Sequence, residues 1–398
     1  MLRLARETGA RSVTFSAAYD AASLGSLREL QSALEEAGLR ATLVHDAPAV
    51  PPDETAAARS DDGGRGYRAL GPYVAAWTAQ AREPFAERVR FATETPPSEP
   101  LPEAAAYDAP AGAEVPDEAA ALAAFEAYLT GPALQYGSAR NVPGGEPTAR
   151  LSAALSFGVV SARTLLARID ERSRDPFLLT EERLSLRALT HALARRDFFL
   201  QLGWFFEAEP DAALQARMRG FPLARTHPRL EAWRDGQTGF PLVDAGARQL
   251  RETGWMHPRV RQVAASFLCF DLGVDWRVGR DAWDAELVED DPALATGNWQ
   301  WVAGVGADLA QFPRIYNPRK QARAFDPAAT YVRRWISELR DVTDAEIFDG
   351  DAAQRRPQLA LPFATHTYPA PVLDHETAAR AYLTRYGSFA RGTAVRNG

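Results

Sequence analysis

Cysteine is almost missing from this chain of 398 residues: Cys269 is the only one. That excludes an internal disulfide and any multi-thiolate zinc or iron–sulfur site. Lysine is equally scarce, with Lys320 alone, so nearly every cation is Arg. A bias in base composition accounts for this without a functional reason. No apolar run approaches the roughly 18 residues of a membrane span. The N-terminal MLRLARETGARSV has neither an apolar h-region nor a small-residue cleavage site. A cytoplasmic protein without a membrane segment is therefore expected. GxGxxG, P-loop and HExxH patterns are absent, and the six His are scattered without ligand spacing, so no metal site is expected.

What is present divides the chain unevenly. The first 46 residues alternate between helical and strand patterns. Val13 and Phe15 alternate as a strand, and Ser23 is read as the cap of a helix carrying Leu27, Leu30 and Leu34. Gly38 ends that helix, and Leu39, Thr42 and Val44 form a second strand. This βαβ rhythm favours a parallel sheet. Between about 92 and 116 Pro and acidic residues dominate and no apolar period survives, which reads as a linker. Helical patterns then run over 117–130, 151–171, 181–206, 242–253, 257–273, 279–287, 299–310 and 327–338, with a looser tail over 340–398. The fold class is mixed: a partial, Rossmann-like α/β domain over 1–91, a linker over 92–116 and a large all-helical domain over 117–398. The net charge is −7, yet residues 131–340 hold 28 Arg and Lys against 25 Asp and Glu. A near-neutral middle with acidic ends permits a local basic groove. Eight of the nine Trp lie between Trp204 and Trp335, which suits core packing, a flat aromatic ligand or an electron path.

Three stretches carry chemistry. Tyr136-Gly-Ser-Ala-Arg140 precedes Pro147-Thr148-Ala149-Arg150-Leu151-Ser152 at a helix start. Hydroxyls and free N–H groups there suit phosphate oxygens, although a simple N-cap explains the pattern as well. Thr238-Gly-Phe-Pro241, Val243-Asp244-Ala245, Gly254-Trp255-Met256-His257-Pro258-Arg259-Val-Arg261 and Asp275-Trp276-Arg277 form the second stretch. The third is Glu289-Asp290-Asp291, then Gly297-Asn298-Trp299-Gln300-Trp301 and Arg314-Ile-Tyr316-Asn317-Pro318.

In their order and spacing these motifs resemble the photolyase/cryptochrome flavoprotein family, in its class I DNA photolyase form. The likeness runs from about residue 9 to the stretch from Tyr368 to His375. Family members begin with further strands and helices, so the resemblance implies an N-terminally shortened chain or a misplaced gene start. It also implies FAD, bound by Tyr136, the turn Thr148, Ala149, Arg150, Leu151 and Ser152, the acids Glu289, Asp290 and Asp291, and Arg261. An Arg beside the flavin ring can pair with an acid and stabilise negative charge. Trp299 and Trp276 match the proximal and middle members of an electron path, whose surface member falls at Leu223 and is lost. Trp301 matches the wall that stacks on a flipped lesion. Arg140, Arg195, Pro258, Arg259 and Gln321 fall at DNA-facing positions. The implied partner is DNA carrying pyrimidine dimers, flipped out because a stacked base is unreachable, and a monomer is expected. The antenna chromophore stays open, since Ala22 and Ser23 stand where folate-binding relatives place polar and acidic residues.

The departures are specific. Ala192 and Arg195 occupy the positions of a lesion-facing Glu and Trp, and Ala295 stands for the Asn beside the flavin. His191 replaces the Glu poorly, because one residue turns about 100° around a helix. The reading is a dimer-splitting photolyase driven by light through reduced FAD. The alternative is a cryptochrome-like photoreceptor or redox flavoprotein without repair.

Overall fold

The computed structural model describes residues 1–56, 65–80, 115–145, 147–206, 211–289, 291–307, 313–349 and 368–396. Most of the expected linker, and Asp290, lie outside the described residues. After a first helix, α1 (Leu2–Glu7), strands β1 (Ser12–Ser16) and β2 (Arg40–Val44) pair in parallel, from Ser12 opposite Arg40 to Ser16 opposite Val44. Helix α2 (Ala21–Glu36) makes the crossover that parallel strands require. Val13, Phe15, Ala41 and Leu43 face inward and their neighbours outward, the period-2 pattern of a half-covered sheet. The cap of α2 is Asp20, held in an extended conformation with its carboxylate accepting from the Ser23 N–H. Ser23, expected as the cap, instead lies in the first turn.

Short helices α3 (Pro52–Thr55) and α4 (Leu70–Ala79) lead from this βαβ unit to the helical body. The body contains α5 (Glu118–Thr130), α6 (Tyr136–Ala139), α7 (Ser152–Ser156), α8 (Ala162–Ser173), α9 (Thr180–Phe206), α10 (Leu230–Arg234) and α11 (Pro241–Thr253). It continues through α12 (Pro258–Ser266), α13 (Trp276–Asp284), α14 (Pro292–Val302), α15 (Pro318–Phe325), α16 (Thr330–Trp335), α17 (Asp344–Asp349) and α18 (His375–Arg396). The described fold is thus mostly helical with one small parallel sheet, as the coarse sequence pattern indicates.

Helix α9 is the axis. From Leu193 to Gly203 every residue except Arg195 is buried, as in a helix surrounded by others. The N-terminal segment docks on it through three devices. Asp197 accepts from the Ala49 and Val50 N–H groups and from Trp77 Nε1. Arg196 Nη1 donates to the Ala47 carbonyl at 2.8 Å. At Gly203 a Cβ would fall 1.8 Å from the Tyr19 carbonyl oxygen, so only glycine permits this approach.

Several helix boundaries differ from the sequence expectation. The stretch 151–171 breaks after Ser156, because Gly158 takes φ +67° and Ser161 caps a new helix. The stretch 257–273 stops at Ser266 and widens into one π-type turn, Phe267–Asp271. The helix expected over 299–310 begins at Pro292, where Asp291 caps it and Pro pre-sets the first turn. The tail read as loose contains α18, whose Tyr382 and Tyr386 are buried against Phe221.

Candidate functional site

The loop from Arg140 to Ser152 is anchored by Tyr128, whose hydroxyl donates to the Pro147 carbonyl at 2.9 Å. Beyond that anchor Thr148 Oγ1 is buried with no hydrogen-bond partner among the described residues. Ala149 is half-buried beside it. Arg150 takes φ +49°, rare for a side chain of its size, and its guanidinium lies 4.3 Å over the Trp255 ring. Leu151 is buried and precedes α7, whose first residue, Ser152, donates its hydroxyl to Glu289 Oε2 at 3.2 Å. The other Glu289 oxygen receives Arg261 Nη1 at 2.5 Å, and Arg261 Nε donates to the Met256 carbonyl. Two residues on, Asp291 caps α14 and lies 3.7 Å from Arg196 Nη2. Ser152, Glu289 and Arg261 thus form one hydrogen-bonded group, with the Arg196–Asp291 pair following it two residues along the chain. Tyr136 stands apart on the four-residue α6, stacked under Arg140 at 5.7 Å.

His257 caps α12 from a fully buried position, with Nδ1 accepting from the Arg259 N–H. Burial, then the cations Arg259, Arg261 and Arg150, push its pKa down to about 4. The ring is therefore neutral at pH 7, with its proton on Nε2, which has no partner among the described residues.

A basic face lies alongside. Burial and then Arg187, Arg195 and Arg140 lower the pKa of His191, which places these cations around it. Arg259 reaches the same region, holding Asn141 Oδ1 with Nε at 3.2 Å and Nη2 at 2.7 Å, and stacking 4.6 Å over Phe325. Pro258 is exposed at the first position of α12, and Gln321 is half-buried on α15. Arg195 is exposed on α9, with Ala192 one turn before it. Trp301 is partly buried at the seam between the two main hydrophobic clusters.

The tryptophans of the helical body lie in different surroundings. Trp299 is buried with its centroid 4.5 Å from that of Trp283 and 6.4 Å from that of Trp233. Gly279 makes room for it, since a Cβ there would come within 2.3 Å of Trp299 Cη2. Trp276 is also buried, but it is flanked by the guanidiniums of Arg277 at 4.7 Å and Arg280 at 5.4 Å. Leu223 packs against the core.

Comparison with known proteins decides what these features belong to. Residues 189–388 match the family described as the FAD binding domain of DNA photolyase. A deoxyribodipyrimidine photo-lyase of Synechococcus is 32% identical over 374 residues, covering 91% of this chain and 74% of that protein.

The chain belongs to the photolyase/cryptochrome family.

Solved structures agree. A class III photolyase from Agrobacterium tumefaciens superimposes with a TM-score of 0.79 at 29% identity, covering 98% of this chain and 82% of its own. A Synechocystis cryptochrome gives 0.78 at 26% identity, covering 97% and 80%. The protein thus has the photolyase FAD-binding domain, and its cofactor is FAD. The residues present fit that group. The orphaned Thr148 hydroxyl and His257 Nε2–H are buried donors that a phosphate-bearing cofactor can satisfy. The Arg261–Glu289 pair supplies a cation with its counter-charge.

Sequence reasoning missed Arg196, which links Asp291 to the N-terminal segment, and Asn141, which orients Arg259. An Arg-Asp pair inside an otherwise apolar helical run was the available signal for Arg196. It also gave no role to Trp283 and Trp233.

Proposed function

We propose that this protein splits pyrimidine dimers in DNA under light, using the FAD of its helical domain, which we assign to residues 117–398. The observation that carries the reading is the network around Glu289, where Ser152, Arg261 and the buried Thr148 turn converge beside a face of arginines. When bound and fully reduced, FAD supplies the light-excited electron donor. The chain's residues do the rest. Thr148, Ser152, Arg261, Glu289 and Asp291 hold the cofactor, with Tyr136, Ala149, Arg150 and Leu151 completing its surroundings. Arg261 keeps a fixed positive charge beside it. Arg140, Arg195, Arg259, Pro258 and Gln321 meet the DNA backbone, positioning it without reading sequence. Trp301 offers an aromatic face to an extruded base. The βαβ unit is, in this reading, part of a Rossmann-like antenna domain, and the protein acts as a cytoplasmic monomer.

A cryptochrome-like photoreceptor is the second reading, favoured by one observation. Ala192 on α9 presents no hydrogen-bond donor where the family's repair enzymes carry Glu, and Arg195 replaces a stacking Trp. The two readings separate on DNA binding. A repair enzyme retains dimer-containing duplex better than intact duplex at moderate salt. Equal retention of both, with FAD bound, favours the photoreceptor.

A further inference from the structure

Helix α9 carries basic side chains beyond the one already placed against DNA. We propose that Arg187, His191 and Arg195 form a phosphate-binding stripe along α9, and that His191 takes up a proton when a DNA strand lies on it. The inference rests on the reading that this face meets the DNA backbone, and it adds Arg187 and His191 to that face.

Three observations carry it. The first is placement. Arg187, His191 and Arg195 follow one another at four-residue intervals, about 6 Å apart along the helix axis, on the face opposite the buried Leu189 and Leu193. Arg187 and Arg195 are exposed and His191 is half-buried. One turn earlier Arg183 donates to the Ser173 carbonyl at 2.8 Å and the Asp175 carbonyl at 2.6 Å, so the stripe begins at Arg187. The second is unbalanced charge. Gly137 N–H donates to Ser185 Oγ at 3.2 Å, which seats α6 on α9 and brings Arg140 toward the stripe. Elsewhere arginines meet carboxylates, as in Arg248–Glu338, Arg261–Glu289 and Arg280–Asp211. Here Arg140 stacks on Tyr136, and Arg259 holds Asn141 and Gln262. Neither of these two nor Arg187 forms an ion pair with a carboxylate among the described residues. Like charges gathered in this way are what a row of phosphates neutralises. The third is His191 itself. The charged groups that act on it are Arg187 and Arg195 of α9 and Arg140 of α6, all cations, and together with burial they keep the ring neutral at pH 7.

A phosphate placed among these cations reverses the field at the ring. It cancels the arginine charges and gives a protonated imidazole an anionic oxygen to donate to, so the charged form of His191 gains on binding. The proton comes from solvent, and the only bond formed is N–H on the imidazole. By linkage, affinity rises as pH falls from 8 toward 6, by at most about tenfold per pH unit for one proton. It levels off once His191 is protonated in the DNA-free protein as well. His257, the other imidazole near this face, is a fully buried N-cap whose pKa of about 4 keeps it neutral over that range.

The test is binding of an undamaged duplex oligonucleotide to the full-length, FAD-loaded protein between pH 6 and 8 at fixed ionic strength. Isothermal titration calorimetry in two buffers of different ionisation heat counts the protons taken up. The unmodified protein should bind about threefold or more tightly at pH 6 than at pH 8, with measurable proton uptake between them. His191→Asn should lose both the pH dependence and the uptake while keeping its affinity at pH 8. Arg187→Gln should weaken binding at every pH and reduce the salt slope by about one phosphate contact. The proposal is overturned if the unmodified protein shows no uptake, or if His191→Asn keeps the same pH dependence. Unchanged affinity and salt slope in Arg187→Gln overturn it too. Failure of the unmodified, FAD-loaded protein to bind DNA at low salt refutes instead the DNA reading on which the proposal rests, a distinguishable failure.

Discussion

Replacing Asp197 should loosen the N-terminal segment from the helical body, with a pH dependence that can be worked out. The carboxyl is buried, and its Oδ2 accepts from Ala49 N–H at 2.8 Å, Val50 N–H at 3.1 Å and Trp77 Nε1 at 2.9 Å. Asp197→Ala orphans all three donors. At ~1–3 kcal/mol for each buried unsatisfied group, and with water entering the void, a loss of about 3–5 kcal/mol is expected. Asp197→Asn keeps an oxygen for the same donors and should cost far less. Burial pushes the carboxyl pKa from 3.8 up to about 6, against Arg196, Trp77 and the two backbone N–H groups. The folded state therefore binds this proton more tightly than the unfolded chain. The resulting stabilisation is complete below the unfolded value and is lost as pH rises through about 6, a total of about 3 kcal/mol. Relative to the unmodified protein, Asp197→Asn should gain stability between pH 4 and 7. Thermal melts across that range, followed by circular dichroism, measure this difference directly. A constant offset between the two proteins over the whole range would refute the titration argument, and an unchanged melting temperature in Asp197→Ala would refute the docking argument.

Three further outcomes are expected. Thr148→Val keeps the shape of the side chain but removes the orphaned hydroxyl, so FAD affinity should fall about tenfold, the worth of one buried hydrogen bond; fluorescence titration of flavin-stripped protein checks it. Trp301→Ala should weaken binding to dimer-containing DNA by ~1–3 kcal/mol and leave intact duplex nearly unaffected, as a competition gel-shift would show. Arg259→Ala should weaken both DNAs alike and flatten the salt dependence of binding, the result that its proposed role against the DNA backbone requires.

The legible parts of the molecule were those written in local pattern. Alternation at Val13 and Phe15 gave the strand, and the apolar run around Leu193 gave the central helix. The motif residues Ser152, Arg261 and Glu289 are joined by hydrogen bonds that nothing in their spacing fixes. Boundaries failed where a single residue outweighed the period. Gly158 breaks the helix expected over 151–171, and Asp291-Pro292 begins one seven residues before the expected start at 299. What stayed hidden was long-range pairing. Trp283 follows Trp233 by fifty positions, and their stacking depends on how α10 and α13 pack, which no window of sequence contains. The same holds for Asp197, whose partners lie in a different part of the chain.

The central claim is light-driven repair, and thymine recovery from a dimer-containing oligonucleotide tests it most directly. Purified protein is fully reduced with dithionite, mixed with the oligonucleotide and exposed to blue light, and restored thymines are counted against a dark control. The account predicts light-dependent restoration, at a yield per absorbed photon that rises in Ala192→Glu as the missing donor to the dimer carbonyl is supplied. No restoration in the light, by either the unmodified protein or Ala192→Glu with FAD bound and reduced, would contradict it.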